Sequence, residues 1–242
     1  MSVVTTADVE AKLQSMFIDA AGTSLRREDL KKAVEVAALL NELARVGRGT
    51  LVDVAAGKSY LGLLAVELLG FEHLVVIERD ARRLEDVRSA MSRLTRPARI
   101  ELKQGDVGDR SLWPEEPGVV TALHACGPAS DAVIDAALSS EAKWLLLVPC
   151  CYGATIPSWS MAEAQAERLG VPHHAEARKR FVHSVIDAER ILRLEAAGWE
   201  TTAVPFVPAT VTPHNLLLRA RRLKEPTRMN DAARKRARLV DA

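Results

Sequence analysis

The chain is poor in cysteine and aromatic residues, contains no long apolar run, and carries almost no net charge. Its three cysteines, Cys126, Cys150 and Cys151, are an odd number and include an adjacent pair with little freedom to close on itself. That argues against a disulfide framework, so a reducing, cytoplasmic setting is expected. No uninterrupted apolar stretch approaches the roughly 20 residues that span a bilayer. The opening MSVVTTADVEAKLQ lacks the basic-then-apolar order of a secretory signal. Aromatic residues are 4% of the chain, which leaves few platforms for splayed bases.

What is present is the composition of a folded globular chain, with 48% hydrophobic and 27% charged residues in 242. One core suffices at this length. The net charge of +1 hides an asymmetry. Residues 219–242 carry nine Lys and Arg against Glu225, Asp231 and Asp241, a net +6, which leaves −5 for the remainder. An anionic partner would therefore be met at this basic tail.

Three segments are expected: an N-terminal helical preface over 1–48, a core domain over 49–222 and the basic tail over 223–242. In the preface Leu13, Met16 and Phe17, then Leu30, Val34, Ala37, Ala38, Leu40 and Leu43, recur at helical spacing, with a break at Ala21-Gly22-Thr23-Ser24. From Thr50 short apolar runs alternate with amphipathic stretches, the pattern of parallel strands joined by crossover helices. Strands are predicted at 50–54, 73–77, 100–103, 119–123 and 144–148. Two more, at 200–206 and 215–220, should form an antiparallel edge. The stretch 153–180 reads as irregular, a substrate-facing insertion.

Open α/β sheets bind ligands beyond the carboxyl ends of their strands. After the first strand stands Asp53-Val54-Ala55-Ala56-Gly57-Lys58-Ser59-Tyr60, whose small residues let backbone approach a ligand. Glu78 closes the second strand, where a carboxylate can accept from a ribose diol unless it merely pairs with Arg79. Asp106 and Val107 follow the third, placed to meet an adenine amine and ring face. Three acids after three successive strands point to a nucleoside-bearing cofactor. The dinucleotide fingerprint G-x-G-x-x-G fits poorly, with Ala55 and Gly57 at its first two positions, and the phosphate-binding G-x-x-x-x-G-K-[ST] fails at Val52.

Beyond the fourth and fifth strands lie LHACGPASDAVIDAAL (123–138) and LLLVPCCYG (145–153). With DVAAGKSYLGLLA (53–65) they resemble class I methyltransferases that share an H-x-C-G segment and a Cys-Cys segment. That group includes tRNA acceptor-stem 2′-O-methyltransferases and bacterial and animal methyltransferase-domain proteins. Phe181–Arg190 and Thr212–Leu218 are similar to segments of the bacterial members. The resemblance implies a Rossmann-like fold with a mostly parallel seven-stranded sheet, S-adenosylmethionine (SAM) as cofactor, and a methyl acceptor. It places cofactor contacts at Asp53, Ala55, Gly57, Lys58, Tyr60, Glu78, Arg79, Asp106, Val107, His124, Ala125 and Cys126.

Methyl transfer is an in-line displacement that needs alignment and, for some acceptors, a base. His124 is the candidate base or a cofactor ligand. Asp131 would orient it, fix the acceptor, or stabilise a helix start. Tyr152, with Cys150 and Cys151, would line the acceptor pocket. No metal site is expected, because adjacent cysteines lack the C-x-x-C geometry by which two thiolates reach one ion, and His173-His174 reads as a polar loop. The expected acceptor is RNA, met through the basic tail. The alternatives are a small-molecule acceptor and a non-catalytic SAM-binding or scaffold protein.

Overall fold

The computed structural model describes residues 3–19, 22, 24–47 and 49–241. Seven strands form one sheet in the order β3-β2-β1-β4-β5-β7-β6. They are β1 (Leu51–Val54), β2 (His73–Glu78), β3 (Arg99–Gln104), β4 (Val119–Cys126), β5 (Trp144–Cys150), β6 (Trp199–Pro205) and β7 (Leu216–Arg222). β1 to β5 run parallel, while β7 pairs antiparallel with both β5 and β6. The predicted strands and antiparallel edge are all present. Chain order reverses direction across the sheet between β1 and β4, so the crevice at their carboxyl ends is the topological switch point.

The helices are α1 (Thr6–Leu13), α2 (Arg27–Val46), α3 (Tyr60–Leu64), α4 (Ala81–Met91), α5 (Ala129–Ser139), α6 (Trp159–Arg168), α7 (Ala175–Ala196) and α8 (Pro226–Val240). Side chains alternate across the sheet because a strand repeats every two residues. Leu51, Leu74, Val76 and Leu146 face the layer of α1 to α4, whereas Val52, Val54, Val75, Ile77 and Leu145 face α5 and the C-terminal part of α7. The preface therefore shares a core with the sheet. Several expected positions differ, since Leu30 is exposed and Val34 and Ala38 only half-buried, while Ala33, Val36 and Leu39 take the core face. Of the predicted break, Ala21 and Thr23 lie outside the described residues.

The stretch expected to be irregular is largely α6 and the start of α7. They pack through Ile156, Ala162, Ala166, Val182 and Ile186 into a third, smaller cluster. The basic tail is also ordered. Glu225 caps α8 through the Thr227 and Arg228 amides, and Pro226 occupies its first turn. Among the described residues no helix is long and apolar enough to cross a membrane.

Candidate active site

At the end of β1 the chain makes a tight loop in which Ala55, Gly57 and Ser59 all take left-handed backbone conformations, with φ of 50°, 59° and 51°. Asp53 holds this loop from beneath. Its carboxylate accepts from Ser59 Oγ at 2.7 Å, the Gly62 amide at 3.1 Å and Thr121 Oγ1 at 3.4 Å. A Cβ on Gly62 would fall 2.5 Å from Ser59 Oγ and 2.8 Å from Asp53, so this close approach requires glycine. Burial pushes the Asp53 carboxyl up to about 7 against those hydrogen bonds. Asp53 thus shapes the loop.

Glu78, the last residue of β2, binds backbone amides. It is 4% exposed and accepts from the Gly57 amide at 2.7 Å and the Asp80 amide at 3.0 Å. It is tied to the β1 loop rather than paired with Arg79. A cavity of about 470 Å³ opens beside it, lined by Ala55, Glu78, Arg79, Asp106, Val107, His124 and Cys126 among others. Asp106 turns one oxygen back to the Gly108 amide at 2.9 Å, and the Val107 carbonyl is held by Trp113 Nε1 at 2.9 Å. Lys58 and Tyr60 lie apart from this cavity, on a second one of about 340 Å³ that also includes Ala55 and Gly57. There Lys58 pairs with Asp86 at 3.2 Å, and the Tyr60 ring meets Phe17 edge-on at 4.6 Å. Ala125 is fully buried in the core and lines neither.

His124 lines both cavities. The β4–β5 register shifts between Leu123 and Ala125, and His124 has φ of 66°. Such strain in a non-glycine residue persists only where surrounding structure imposes it. Here His124 Nε2 lies 3.0 Å from Glu35 Oε2, which is 4% exposed and also receives Lys32 Nζ at 2.5 Å. Burial raises the Glu35 carboxyl, but its bonds to His124 and Lys32 outweigh this and bring it below the ordinary range.

Asp131 is not the partner of His124. It is buried against Arg190, which is 0% exposed, at 2.7 Å, and also binds Arg193. A buried guanidinium demands a counter-charge, and Asp131 supplies it from the first turn of α5, joining α5 to α7. The Tyr152 hydroxyl is likewise engaged. It donates to Asp187, with oxygen separations of 2.6 and 2.8 Å, while its ring stacks on His183 at 4.1 Å. Burial, then Asp187, pushes the phenol up, and burial also raises Asp187. The three cysteines converge, with Cys126 Sγ 2.9 Å from Cys150 Sγ and 3.5 Å from Cys151 Sγ. Sequence spacing concealed this because Cys126 arrives from the neighbouring strand. Sequence reasoning also missed Glu35, Lys32, Asp187 and Arg190, for which the available signal was an acid set within the apolar stripe of α2 and an arginine within α7.

A family model described as a methyltransferase domain matches residues 28–155. The chain belongs to this family. Among curated proteins, a glutathione S-transferase C-terminal domain-containing protein homolog from Drosophila melanogaster is 30% identical over 128 residues. That match covers 43% of this methyltransferase chain and 22% of the fly protein, so the chain spans about a fifth of the relative's length. Among solved structures, the methyltransferase domain of bacterial CtHen1-C aligns with a TM-score of 0.53 at 12% identity, over 81% of this chain and 100% of that one. The corresponding CtHen1-CN domain aligns at 0.52 and 13%, over 80% and 100%. These likenesses show a shared Rossmann-like fold.

SAM is the methyl donor that the family implies, and the residues of this methyltransferase domain fit it. A buried carboxylate at the end of β2 and a second acid after β3 border one cavity, together with Ala55 of the β1 loop. Glu78 would hold the ribose of a bound SAM, and Asp106 with Val107 would meet its base, since all three line that cavity. Ala55, His124 and Cys126 line the same cavity at the β1 and β4 ends, while Gly57 lies on the second one.

Proposed function

We propose that this methyltransferase domain catalyses SAM-dependent methyl transfer with His124, held by Glu35, as the proton acceptor. The observation that carries the reading is the 3.0 Å contact between His124 Nε2 and Glu35 at the wall common to both cavities. A carboxylate accepting from Nε2 leaves Nδ1 of the neutral ring as the basic nitrogen. SAM supplies an electrophilic methyl group. His124 takes a proton from the acceptor's hydroxyl or nitrogen as the new bond forms. Glu35 fixes the tautomer and stabilises the imidazolium, while Lys32 keeps Glu35 ionised. Glu35 is thus a positioning residue.

RNA is the acceptor class suggested by the resemblance to RNA-modifying members. A small-molecule acceptor is a second reading, favoured by one observation. Five acids, Glu42, Glu141, Glu189, Glu195 and Glu200, pair with Arg219 and Arg222 of β7 and with Lys224, Arg228 and Arg236 of the tail, so local charge over 219–242 is nearly balanced.

The test is incubation of methyl-labelled SAM with RNA, protein and metabolite fractions of the native cell. Label should enter one fraction with the wild-type chain and fall by about a hundredfold or more with His124→Ala. Undiminished transfer by that variant would remove His124 from the chemistry.

A further inference from the structure

The three free thiols stand together outside the proton-transfer pair. All three Sγ atoms lie within 4.8 Å of one another, and none is in a disulfide. Ordinary strand geometry would not bring them there. Cys126 and Cys150 are level partners on β4 and β5, but the next residue along a strand points to the opposite face. Cys151 instead has φ of 53°, a left-handed turn that brings its thiol back beside the others. On the other strand, the register shift at His124 sets the position of Cys126. Two strained non-glycine residues, His124 within β4 and Cys151 just past the end of β5, thus produce one sulfur cluster, and strain of this kind gathers at functional sites.

We propose that Cys126, Cys150 and Cys151 form a three-thiolate site for a thiophilic cation, with Zn²⁺ as the fitting ion. Zinc–sulfur bonds of about 2.3 Å to a common centre place sulfurs roughly 3.7 Å apart in tetrahedral geometry. The separations of 2.9 and 3.5 Å would open by about 0.8 and 0.2 Å to reach this. Each thiol releases its proton to solvent as its bond to zinc forms. Three thiolates and one Zn²⁺ carry a net −1, and the guanidinium-bearing Arg83 lines the same cavity as Cys126. Zinc favours four ligands, so three cysteines leave one position for water or an acceptor atom. Because Cys126 borders the 470 Å³ cavity, the ion would stand at its wall.

Co²⁺ added anaerobically to the reduced full chain is the direct probe. The expected result is a near-ultraviolet thiolate-to-cobalt band, abolished by stoichiometric Zn²⁺, together with protection of all three thiols by Zn²⁺ against a thiol-specific disulfide reagent. Cys126→Ser and Cys151→Ser, both at exposed positions, should each remove about a third of the band and weaken Zn²⁺ about tenfold or more. Circular dichroism melts would verify that these variants fold. Absence of the band in the wild-type chain would overturn the proposal. So would unchanged zinc affinity in both serine variants, or a Cys126–Cys150 disulfide that forms in air while the reduced chain takes up no metal. None of these readouts depends on methyl transfer.

Discussion

Glu78 and Glu35 are both buried carboxylates at the site, with different tasks set by their partners. Glu78 faces backbone amides of the β1 loop and the turn after β2, so it organises the binding cavity. Glu78→Gln is expected to weaken SAM binding by about tenfold or more, since hydrogen bonds to a charged group contribute roughly 1.5 to 3 kcal/mol each, with little change in turnover at saturating SAM. Glu35→Gln should do the reverse, lowering turnover while leaving SAM affinity within about threefold, and shifting the pH–rate profile because the imidazolium loses its counter-charge. A separate titration of each variant with SAM, followed by initial rates, distinguishes the two. Glu78 was legible in the sequence because the end of an apolar run marks the end of a strand. Glu35 was not, because its significance depends on a histidine brought across the fold by β4. Of the readings open for Asp131, the helix-start acid holds, since it stands in the first turn of α5; the partnership with His124 does not, because the buried Arg190 that claims Asp131 comes from α7, far along the chain.

Among the elements, the segment Ala65–Leu69 after α3 carries Glu67, which joins three parts of the fold. It binds Lys12 of α1 at 2.6 Å and both the amide and the hydroxyl of Thr95 ahead of β3. Burial acts to raise its carboxyl, but these partners prevail and hold it at about 2. A depressed acid stabilises the fold above its unfolded value, about 4.5, and that contribution is lost as pH falls towards 2. Glu67→Gln should therefore cost up to about 3 kcal/mol at neutral pH and flatten the acid limb of stability against pH, as read by urea unfolding. An unaltered acid limb would show that these bonds do not couple α1 to the sheet. The strands and their antiparallel edge were readable because apolar runs and turn residues bound them. The helical character of 153–180 was hidden because α6 buries only a narrow face, Ala162, Gln165 and Ala166. For α8, charge drew attention to the exposed side, while Ala232 and the Arg236–Glu189 pair anchor the helix to α7.

For the whole molecule, the question is whether the surface is built for a polyanion or only the cavity is built for a small acceptor. Removing the tail would strip a packed helix, so reversing exposed charges is the cleaner test. Arg234→Glu, Lys235→Glu and Arg238→Glu in one variant should reduce the salt dependence of RNA association by about 0.7 in log–log slope for each phosphate that is no longer neutralised. No change in slope would favour the small-acceptor reading. More basic is the proposed division of labour, in which the cavity between the ends of β1, β2, β3 and β4 would bind SAM and His124 would act on the acceptor rather than on the cofactor. Calorimetric titration of SAM into the wild-type, Glu78→Gln and His124→Ala chains measures this most directly. The expected result is saturable binding of one SAM per wild-type chain, a clear weakening by Glu78→Gln, and nearly unchanged affinity in His124→Ala. Absence of heat up to millimolar SAM, or equal losses in both variants, would contradict it.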